Sequence, residues 1–431
     1  MRQSFLIFLA CLLARLVFAG NWPQWRGPHG TGVADETNLP LHWSTNENVR
    51  WRVPLPEPGN STPVIWGNRV FVTQALSGKR AGSPGESASS RRTVMCFDKA
   101  TGKRLWQSGV DARENEPTHD DNPYCSASPV TDGERVVAWF GSPGLYAYDF
   151  NGREIWHREL GEQKHIWGNG SSPIIYKGLC ILNFGPGERS FLIAIDKKSG
   201  KTVWQHDEPG GDSGEKKDDQ SKPTWVGSWS TPIVIRVDDH EELILSFPSR
   251  VASFDPSTGK ERWTCRGLNP LVYTSPLYSD GIIVAMGGFG GSALAVKVQG
   301  TGDITEKQRL WQVPRNKQRI GSGVISGDHV YILDDPGVAE CIELKTGKVV
   351  WEQRLKGKAS ATDSWASMVL AGGKLYVINK AGDSFILRAN PTFELLATNS
   401  LGERTLASIA PSDGQLFIRT YKALWCIAEK R

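Results

Sequence analysis

The stretch Ala194–Trp204, AIDKKSGKTVW, carries the pattern that decides the fold. It predicts a strand ending at Asp196, a tight turn at Ser199–Gly200 and a second strand ending at Trp204. Glycine supplies the positive φ that such a turn requires, and alternating side chains direct one face inward, where tryptophan becomes a large apolar contact for a neighbouring unit. A hairpin of this kind cannot bury its own face, so it must stack on copies of itself.

The same pattern recurs along the chain with small changes. The copies start with a small residue and end with tryptophan, at Cys96–Trp106, Ala147–Trp156, Ser253–Trp263, Cys341–Trp351 and, in a stretched form, Ala295–Trp311. A small residue at one end and a tryptophan at the other suggest units that interlock. We therefore predict a structural packing role for the tryptophans at repeat positions, which are Trp51, Trp106, Trp156, Trp204, Trp263, Trp311 and Trp351.

Pairs of short strands precede these hairpins, and their number gives the number of units. There are eight pairs: Ser61–Thr73, Ser126–Phe140, Ser171–Phe184, Ser230–Phe247, Thr274–Gly287, Gly321–Leu333, Ala366–Ile378 and Ala407–Arg419. Two more strands follow each pair, which predicts an all-β, eight-bladed β-propeller with four antiparallel strands per blade.

The two ends of the chain complement each other. Leu416–Ala428 provides strands of the last unit without the tryptophan-bearing strand that should follow, whereas Val49–Leu55 is a lone copy of that strand. We expect the N-terminal strand to join the last blade and close the ring, because closure removes exposed strand edges.

Three segments are predicted from composition. Residues 1–19 form a signal peptide with a basic start, an apolar run and a cleavage site after Ala19. Arg15 interrupts the run, so we expect no transmembrane span and a periplasmic or extracellular location. Residues 20–48 form an irregular Trp- and Pro-rich segment, and residues 49–431 form the propeller.

The net charge and the cysteine spacing argue against two classes of function, nucleic-acid binding and zinc binding. The net charge is only +4, and two of the positive charges, Arg2 and Arg15, belong to the leader, so no basic nucleic-acid footprint is predicted. Six cysteines remain after the leader, without a Cys/His spacing typical of zinc, so no metal site is predicted. No particular disulfide is indicated, and we expect a monomer.

The repeated A-x-D-x-x-T-G-x-x-x-W pattern resembles the tryptophan-docking repeat of quinoprotein-like (PQQ-like repeat) β-propellers. That superfamily includes pyrroloquinoline quinone (PQQ) dehydrogenases and non-enzymatic BamB-type outer-membrane assembly lipoproteins. Asn21–Gly32, NWPQWRGPHGTG, is similar to the opening of a bacterial secreted group of PQQ-like repeat proteins. The resemblance runs from Asn21 to the C-terminus and is specific for the fold, but the same blade serves both enzymes and scaffolds.

In a propeller, the loops that lead into the innermost strands share one face with the hairpins after the second strands. Loops on a rigid scaffold often hold binding sites. The candidate ligand-binding rim consists of His119, Asp121, Asn122, His165, Trp167, Asn169, Trp225, Trp229, Arg250, Arg319, Asp363, Trp365 and Arg404. Hairpins on the same face add Arg189, the Gly287–Gly291 run, Lys380 and Tyr421. The alternative is that these groups bond to loop backbone and fill the tapered centre. We predict no catalytic residue, because no nucleophile accompanies His119 and Asp121.

Three functions are compatible with the sequence. The first is a secreted or periplasmic, non-catalytic, BamB-like scaffold for protein interaction or ligand binding, without a cofactor, whose partners are other envelope or secreted proteins or a surface polymer. The second is a PQQ-dependent dehydrogenase of alcohols or sugars. The third is a cell-surface glycan-binding propeller that uses its Trp-rich rim.

The dehydrogenase alternative makes specific demands. The resemblance implies a calcium ion held by a carboxylate and an amide near the quinone, a catalytic Asp and, commonly, a disulfide between adjacent cysteines. The chain has no Cys-Cys pair. Asn122, Asn169, Asp121 and Asp363 are the residues that would have to take the calcium roles.

Overall fold

The computed structural model describes residues 20–77, 90–112, 116–214, 225–314 and 317–429. The predicted signal peptide lies outside these ranges. Within them, regular structure is almost entirely strand, and the helix Thr305–Gln308 is a single turn. No helix in the described residues has the length and apolar character needed to cross a bilayer.

The prediction of eight blades with four antiparallel strands each is confirmed. From the channel outward, the first four blades contain Val64–Trp66, Arg69–Leu76, Ser90–Asp98 and Arg104–Ala112 (blade 1); Val130–Thr131, Arg135–Trp139, Leu145–Asp149 and Glu154–Arg158 (blade 2); Ile174–Tyr176, Leu179–Phe184, Ser190–Asp196 and Thr202–Glu208 (blade 3); and Ile233–Val237, His240–Phe247, Arg250–Phe254 and Glu261–Arg266 (blade 4).

The other four blades contain Leu277–Ser279, Ile282–Met286, Ala293–Lys297 and Arg309–Val313 (blade 5); Val324–Ser326, His329–Leu333, Val338–Glu343 and Val349–Arg354 (blade 6); Val369–Ala371, Lys374–Ile378, Asp383–Arg388 and Leu395–Ser400 (blade 7); and Ala410–Ser412, Gln415–Arg419, Ala423–Ala428 and Val49–Pro54 (blade 8). Short parallel strands supplement these sheets at Val33–Ala34 inside blade 7, at Gly302–Asp303 outside blade 4, and between Gly227–Ser228 and Leu271–Val272.

The N-terminal strand closes the ring, as predicted. Val49–Pro54 pairs antiparallel with Ala423–Ala428, and Val53 lies opposite Leu424. The first blade-forming segment of the chain therefore supplies the outermost strand of the last blade.

A second closure runs around the channel. At the start of every innermost strand, a backbone N–H donates to the side-chain hydroxyl of the equivalent residue in the next blade. The eight hydroxyl residues are Thr62, Ser128, Ser172, Thr231, Ser275, Ser322, Ser367 and Ser408. The N–H of Ser408 returns to Thr62 Oγ1 at 3.2 Å, so the hydrogen bonds form a complete circle.

Tryptophans at the third position of the outermost strands connect neighbouring blades. The prediction that the strand ends at Trp204 was wrong, because the strand continues from Thr202 to Glu208. The indole of Trp106 lies against Gly152 in the turn of blade 2, and its N–H donates to the carbonyl of Phe150 at 2.9 Å. A Cβ on Gly152 would lie 2.6 Å from that ring, so this turn requires glycine. Trp51 of blade 8 makes the same contact with the turn of blade 1, through the carbonyl of Lys99.

Trp263 departs from this arrangement. Its indole N–H donates to the buried carboxylate of Glu242 instead of to a turn in blade 5. The third and fourth strands of blade 5 are joined through Gly302–Asp303 and Thr305–Gln308, so the short turn that the other tryptophans cover is replaced there.

Apolar clusters fill the spaces between adjacent blades. One cluster combines Phe71 of blade 1 with Val136 of blade 2, and another combines Leu192 of blade 3 with Leu245 of blade 4. The six described cysteines are all unpaired and buried within these layers, where they act as small apolar residues.

The N-terminal segment enters the channel from the face that carries the turns between first and second strands. Trp22 exchanges two backbone hydrogen bonds with Ile65 of the innermost strand of blade 1. The buried Arg26 guanidinium donates to four carbonyl oxygens, two in its own segment and those of Ser322 and Gly323 at blade 6. This end of the channel is therefore closed by the chain itself.

Candidate functional site at the channel mouth

A cavity of about 480 Å³ opens at the other end of the channel. Loops that lead into the innermost strands and hairpins after the second strands line it. Trp25, from the N-terminal segment that fills the opposite end, also lines the cavity. The cavity is therefore a blind pocket with one entrance, and the segment before the propeller forms its floor.

Aromatic side chains from blades 3 to 5 form one half of the cavity. Trp167 meets Trp225 edge to face with ring centroids 4.6 Å apart, and Trp229 meets Tyr273 in the same way at 4.9 Å. Phe289, in the glycine-rich hairpin of blade 5, is 62% exposed at the entrance. An exposed phenylalanine beside a cluster of indoles is an apolar surface available to a ligand.

Charged side chains from blades 2, 7 and 8 occupy the other half. Lys380 Nζ lies 3.2 Å from Asp121 Oδ2 and 2.6 Å from Asp363 Oδ2, and 4.8 Å from the centre of the Trp365 ring. Arg404 also pairs with Asp121. Burial lowers the pKa of Lys380, but its bonds to Asp363 and the nearby charges outweigh burial, so this pKa lies above its usual value.

Asp335, in the hairpin after the second strand of blade 6, lines the cavity and differs from the other carboxylates at the mouth. Its Oδ2 accepts a hydrogen bond from Gln318 Nε2 at 2.7 Å, and it forms no ion pair with any described residue. Burial raises the pKa of Asp335 to about 6, although the charge of Lys380 opposes the shift.

His165 supports the cavity from below and does not line it. It is fully buried, its Nδ1 accepts the N–H of Trp167 at 3.2 Å, and its ring meets Trp229 edge to face. Burial lowers the pKa of His165 to about 4. The imidazole is therefore neutral and packs the loop instead of binding a ligand.

The two asparagines of the predicted rim hold loops together. Asn122 Nδ2 donates to the carbonyls of Trp167 and Asn169, at 2.6 and 2.9 Å. Asn169 donates to the side chain of Gln163. His119 stacks on Trp365 with ring planes 29° apart and accepts the N–H of Asp121. Both asparagines therefore bond to loop groups, and Asn122 also lines the cavity.

Two predicted rim arginines lie elsewhere. Arg250 pairs with Glu208 and Glu261 in blade 4, and Arg319 is buried in an ion pair with Glu340. The cavity is lined by the neighbours of Arg319, Gln318 and Ile320, because alternate residues of an extended segment point in opposite directions.

Lys380 and Phe289, which belong to the predicted hairpins, line the cavity. The cavity also contains residues absent from the predicted rim, which are Trp25, Asn60, Thr62, Ser126, Ser128, Gly170, Ser172, Tyr273, Gln318, Ile320, Asp335, Leu406 and Ser408. Asp335 stands in a hairpin that the repeat pattern places at the mouth, so register could have identified it. Trp25 lies outside the repeats, and no sequence signal places it in the channel.

His206, Glu208 and Glu261 form a group, away from the mouth, whose ligand atoms are close enough for a metal ion. Arg250 already bonds to both of these glutamates, with Nη1 3.0 Å from Glu261. The guanidinium pairs with a carboxylate oxygen of each glutamate and offsets one of their two negative charges, so the chain's own cation already occupies this cluster.

Fold and site together define a β-propeller of PQQ-like repeats with a blind cavity at one mouth. A sequence model of the family described as outer membrane protein assembly factor BamB matches residues 33–166, 90–266 and 302–392, well over half of the chain. The chain belongs to this family.

Individual relatives agree. The outer membrane protein assembly factor BamB of Yersinia pestis is 21% identical over an alignment of 310 residues, which covers 68% of this chain and 72% of the relative. Among solved structures, BamB from Moraxella catarrhalis aligns with a TM-score of 0.59 at 15% identity, over 89% of this chain and 98% of the other. A europium-containing methanol dehydrogenase aligns with a TM-score of 0.67 at 13% identity, over 94% of this chain and 90% of the other. At these identities the structural likeness shows the fold alone.

The mouth does not fit PQQ with calcium. Asn122 and Asn169 direct their amide groups to other loops, and Asp121 and Asp363 share Lys380. The described cysteines are buried and unpaired, so they supply no disulfide over a quinone. The four residues that the dehydrogenase alternative assigns to calcium are thus engaged in holding the loops.

Proposed function

We propose that the chain is a secreted or periplasmic, non-catalytic scaffold that binds other cell-envelope proteins at its channel mouth and contributes to outer membrane protein assembly. The observation that carries the proposal is the blind cavity, with Phe289 exposed at its entrance and Trp167, Trp225 and Trp229 behind it. Aromatic side chains are enriched where proteins bind one another, because they bury much area at low cost in conformational entropy.

The rigidity of the mouth supports binding over chemistry. Asp121 is fixed by Lys380 and Arg404, and Asn122 bridges two loops. A site whose polar groups are already bonded is pre-organised, so a partner does not have to order it on binding. Membership in a family of assembly factors supports the same conclusion.

The organisation of the mature protein is part of the proposal. We expect removal of Met1–Ala19 by signal peptidase, an N-terminal segment at 20–48, a propeller at 49–431 and a monomer. The mass of the exported protein and its sedimentation coefficient test this.

Photo-crosslinking tests the proposed function. Phe289→p-benzoylphenylalanine places a reactive group at the cavity entrance, and Val203→p-benzoylphenylalanine places the same group on the outermost strand of blade 3, where Val203 is 50% exposed. We expect light-dependent adducts with components of outer membrane protein assembly from position 289 only, and their loss when Trp225→Ala is added. Absence of protein adducts at 289, or the same adducts from 203, would contradict the proposal. Adducts with a glycan instead would favour the third hypothesis.

A further inference from the structure

The cavity has two chemically different halves, and within the described part of the chain Asp335 is its lining carboxylate without an ion pair. Blades 3 to 5 contribute the indoles and Tyr273, whereas Asp121, Asp335 and Lys380 are its charged lining residues. Lys380 is shared between Asp121 and Asp363, and Arg404 pairs with Asp121. The three carboxylates and two cations named here carry a net charge of −1. Asp335 is the carboxylate among them that has no ion pair.

We propose that the cavity binds a cationic side chain, Lys or Arg, from an extended segment of the partner. The aliphatic stem lies along the aromatic half and the charged group faces Asp335. Long cationic side chains bury their stems on apolar surface, and indole faces attract cations. This inference deepens the proposed function and rests on it.

The mouth already shows the same chemistry within the chain. Lys380 places its ammonium group over Trp365 while bonding to carboxylates on either side. The segment from the partner would repeat that arrangement against Trp167, Trp225 or Trp229, with Asp335 as its carboxylate. A polyanionic ligand would face the unpaired negative charge and find the cations of the mouth already bonded.

The pH dependence of binding follows from the groups around Asp335. Gln318, Lys380, Asp121, Asp363 and Trp365 all face or influence this carboxylate. Burial raises its pKa to about 6, and a bound cation lowers that pKa. Affinity is therefore nearly full at pH 7 and declines as the pH falls through 6, by about tenfold between pH 7 and pH 5 for one coupled proton.

The test uses the mature protein and two tripeptides, acetyl-Gly-Lys-Gly-amide and its norleucine analogue, which keeps the stem without the charge. Titrations follow tryptophan fluorescence at pH 7.5 and pH 5. We expect the lysine peptide to bind at least about tenfold more tightly than the norleucine peptide at pH 7.5. The preference should shrink at pH 5 and disappear in Asp335→Asn, which keeps an acceptor for Gln318.

Asp328→Asn is the matched control, because Asp328 is an exposed carboxylate of the same blade that pairs with Lys345. It should leave the preference unchanged. The inference is overturned by equal affinity for the two peptides, by no binding of either, or by an unchanged preference in Asp335→Asn. If Asp335→Asn fails to fold, the pH comparison on the unmodified protein decides the question. Protein adducts at Phe289 without a lysine preference would overturn this inference alone. A lysine preference without such adducts would instead contradict the proposed function.

Discussion

The backbone N–H of Ser408 in blade 8 donates to the side-chain hydroxyl of Thr62 in blade 1, at 3.2 Å. The seven other hydrogen bonds of the same kind measure 2.9 or 3.0 Å. This bond joins the first innermost strand to the last one. The eight hydrogen bonds together form a ring around the channel at the level of the cavity. Closure of the ring and the geometry of the mouth therefore depend on the same atoms.

Thr62→Val removes the hydroxyl acceptor and keeps the shape of the side chain. It leaves the buried N–H of Ser408 without its partner, so we expect a loss of about 1–3 kcal/mol in the free energy of unfolding. Urea unfolding measures it. Thr62→Ser retains the acceptor, and Thr398→Val changes an exposed strand threonine; both should differ little from the parent protein. Equal stability of Thr62→Val and the parent would show that the ring does not contribute.

Trp51→Ala tests closure on the outer side. The indole packs on Phe417 at 5.8 Å and on Gly102, and donates to the carbonyl of Lys99 at 2.9 Å, so it ties blade 8 to blade 1. Truncation of a buried tryptophan costs about 3–5 kcal/mol. We expect a lower urea midpoint and partial recovery in Trp51→Phe. A change below about 1 kcal/mol would argue against this closure.

Arg26→Met tests the closed end of the channel. The substitution keeps a long stem but leaves the carbonyls of Thr31, Ser322 and Gly323 without their guanidinium donor. We expect a loss of about 2 kcal/mol or more in stability, because buried acceptors become unpaired. Protease cleavage within residues 20–48 should also become faster. Arg50→Met, at an exposed position, is the control. Equal cleavage of the two variants would contradict the closure of this end of the channel by residues 20–48.

The pH dependence of stability tests the buried His165. Its folded-state pKa is about 4, below the value near 6.5 of an unfolded histidine. The unfolded chain therefore takes up the proton first. The stability that the neutral, buried His165 contributes to the folded protein is fully present above pH 6.5. It falls by about 2–3 kcal/mol as the pH drops towards 4. Urea unfolding at several pH values gives the free energy of unfolding as a function of pH. This free energy should fall less between pH 6.5 and pH 4 in His165→Gln than in the parent protein. An identical pH dependence in the two proteins would show that His165 is not buried in neutral form.

Much of the fold is visible in the sequence because each blade repeats the same local requirements. An alanine or other small residue opposite a tryptophan, as in Ala194 and Trp204, and a turn glycine such as Gly200 recur at most contacts between blades. The pattern and the number of blades can therefore be read from each repeat by itself. The hydroxyls of the ring also recur at one position, but their partner is in the next blade. Nothing in a single repeat indicates that bond.

The mouth is less predictable for a physical reason. Arg319 and Gln318 are adjacent in the same loop, yet one is buried against Glu340 and the other faces the cavity. Alternation along this extended segment separates the two side chains, but tertiary contacts decide which of them faces the cavity. Trp25 reaches the cavity only because its segment folds back into the channel, and that path depends on Arg26 and the inner strands of distant blades.

The most direct test of the central claim, that the mouth is a protein-binding site and not a quinone site, is a titration of the mature protein with PQQ in the presence and absence of calcium. Quenching of tryptophan fluorescence reports binding, because Trp167, Trp225, Trp229 and Trp365 line the cavity. We predict no saturable, calcium-dependent quenching up to high micromolar PQQ. Saturable, tight binding that requires calcium would contradict the account and identify the cavity as a cofactor site.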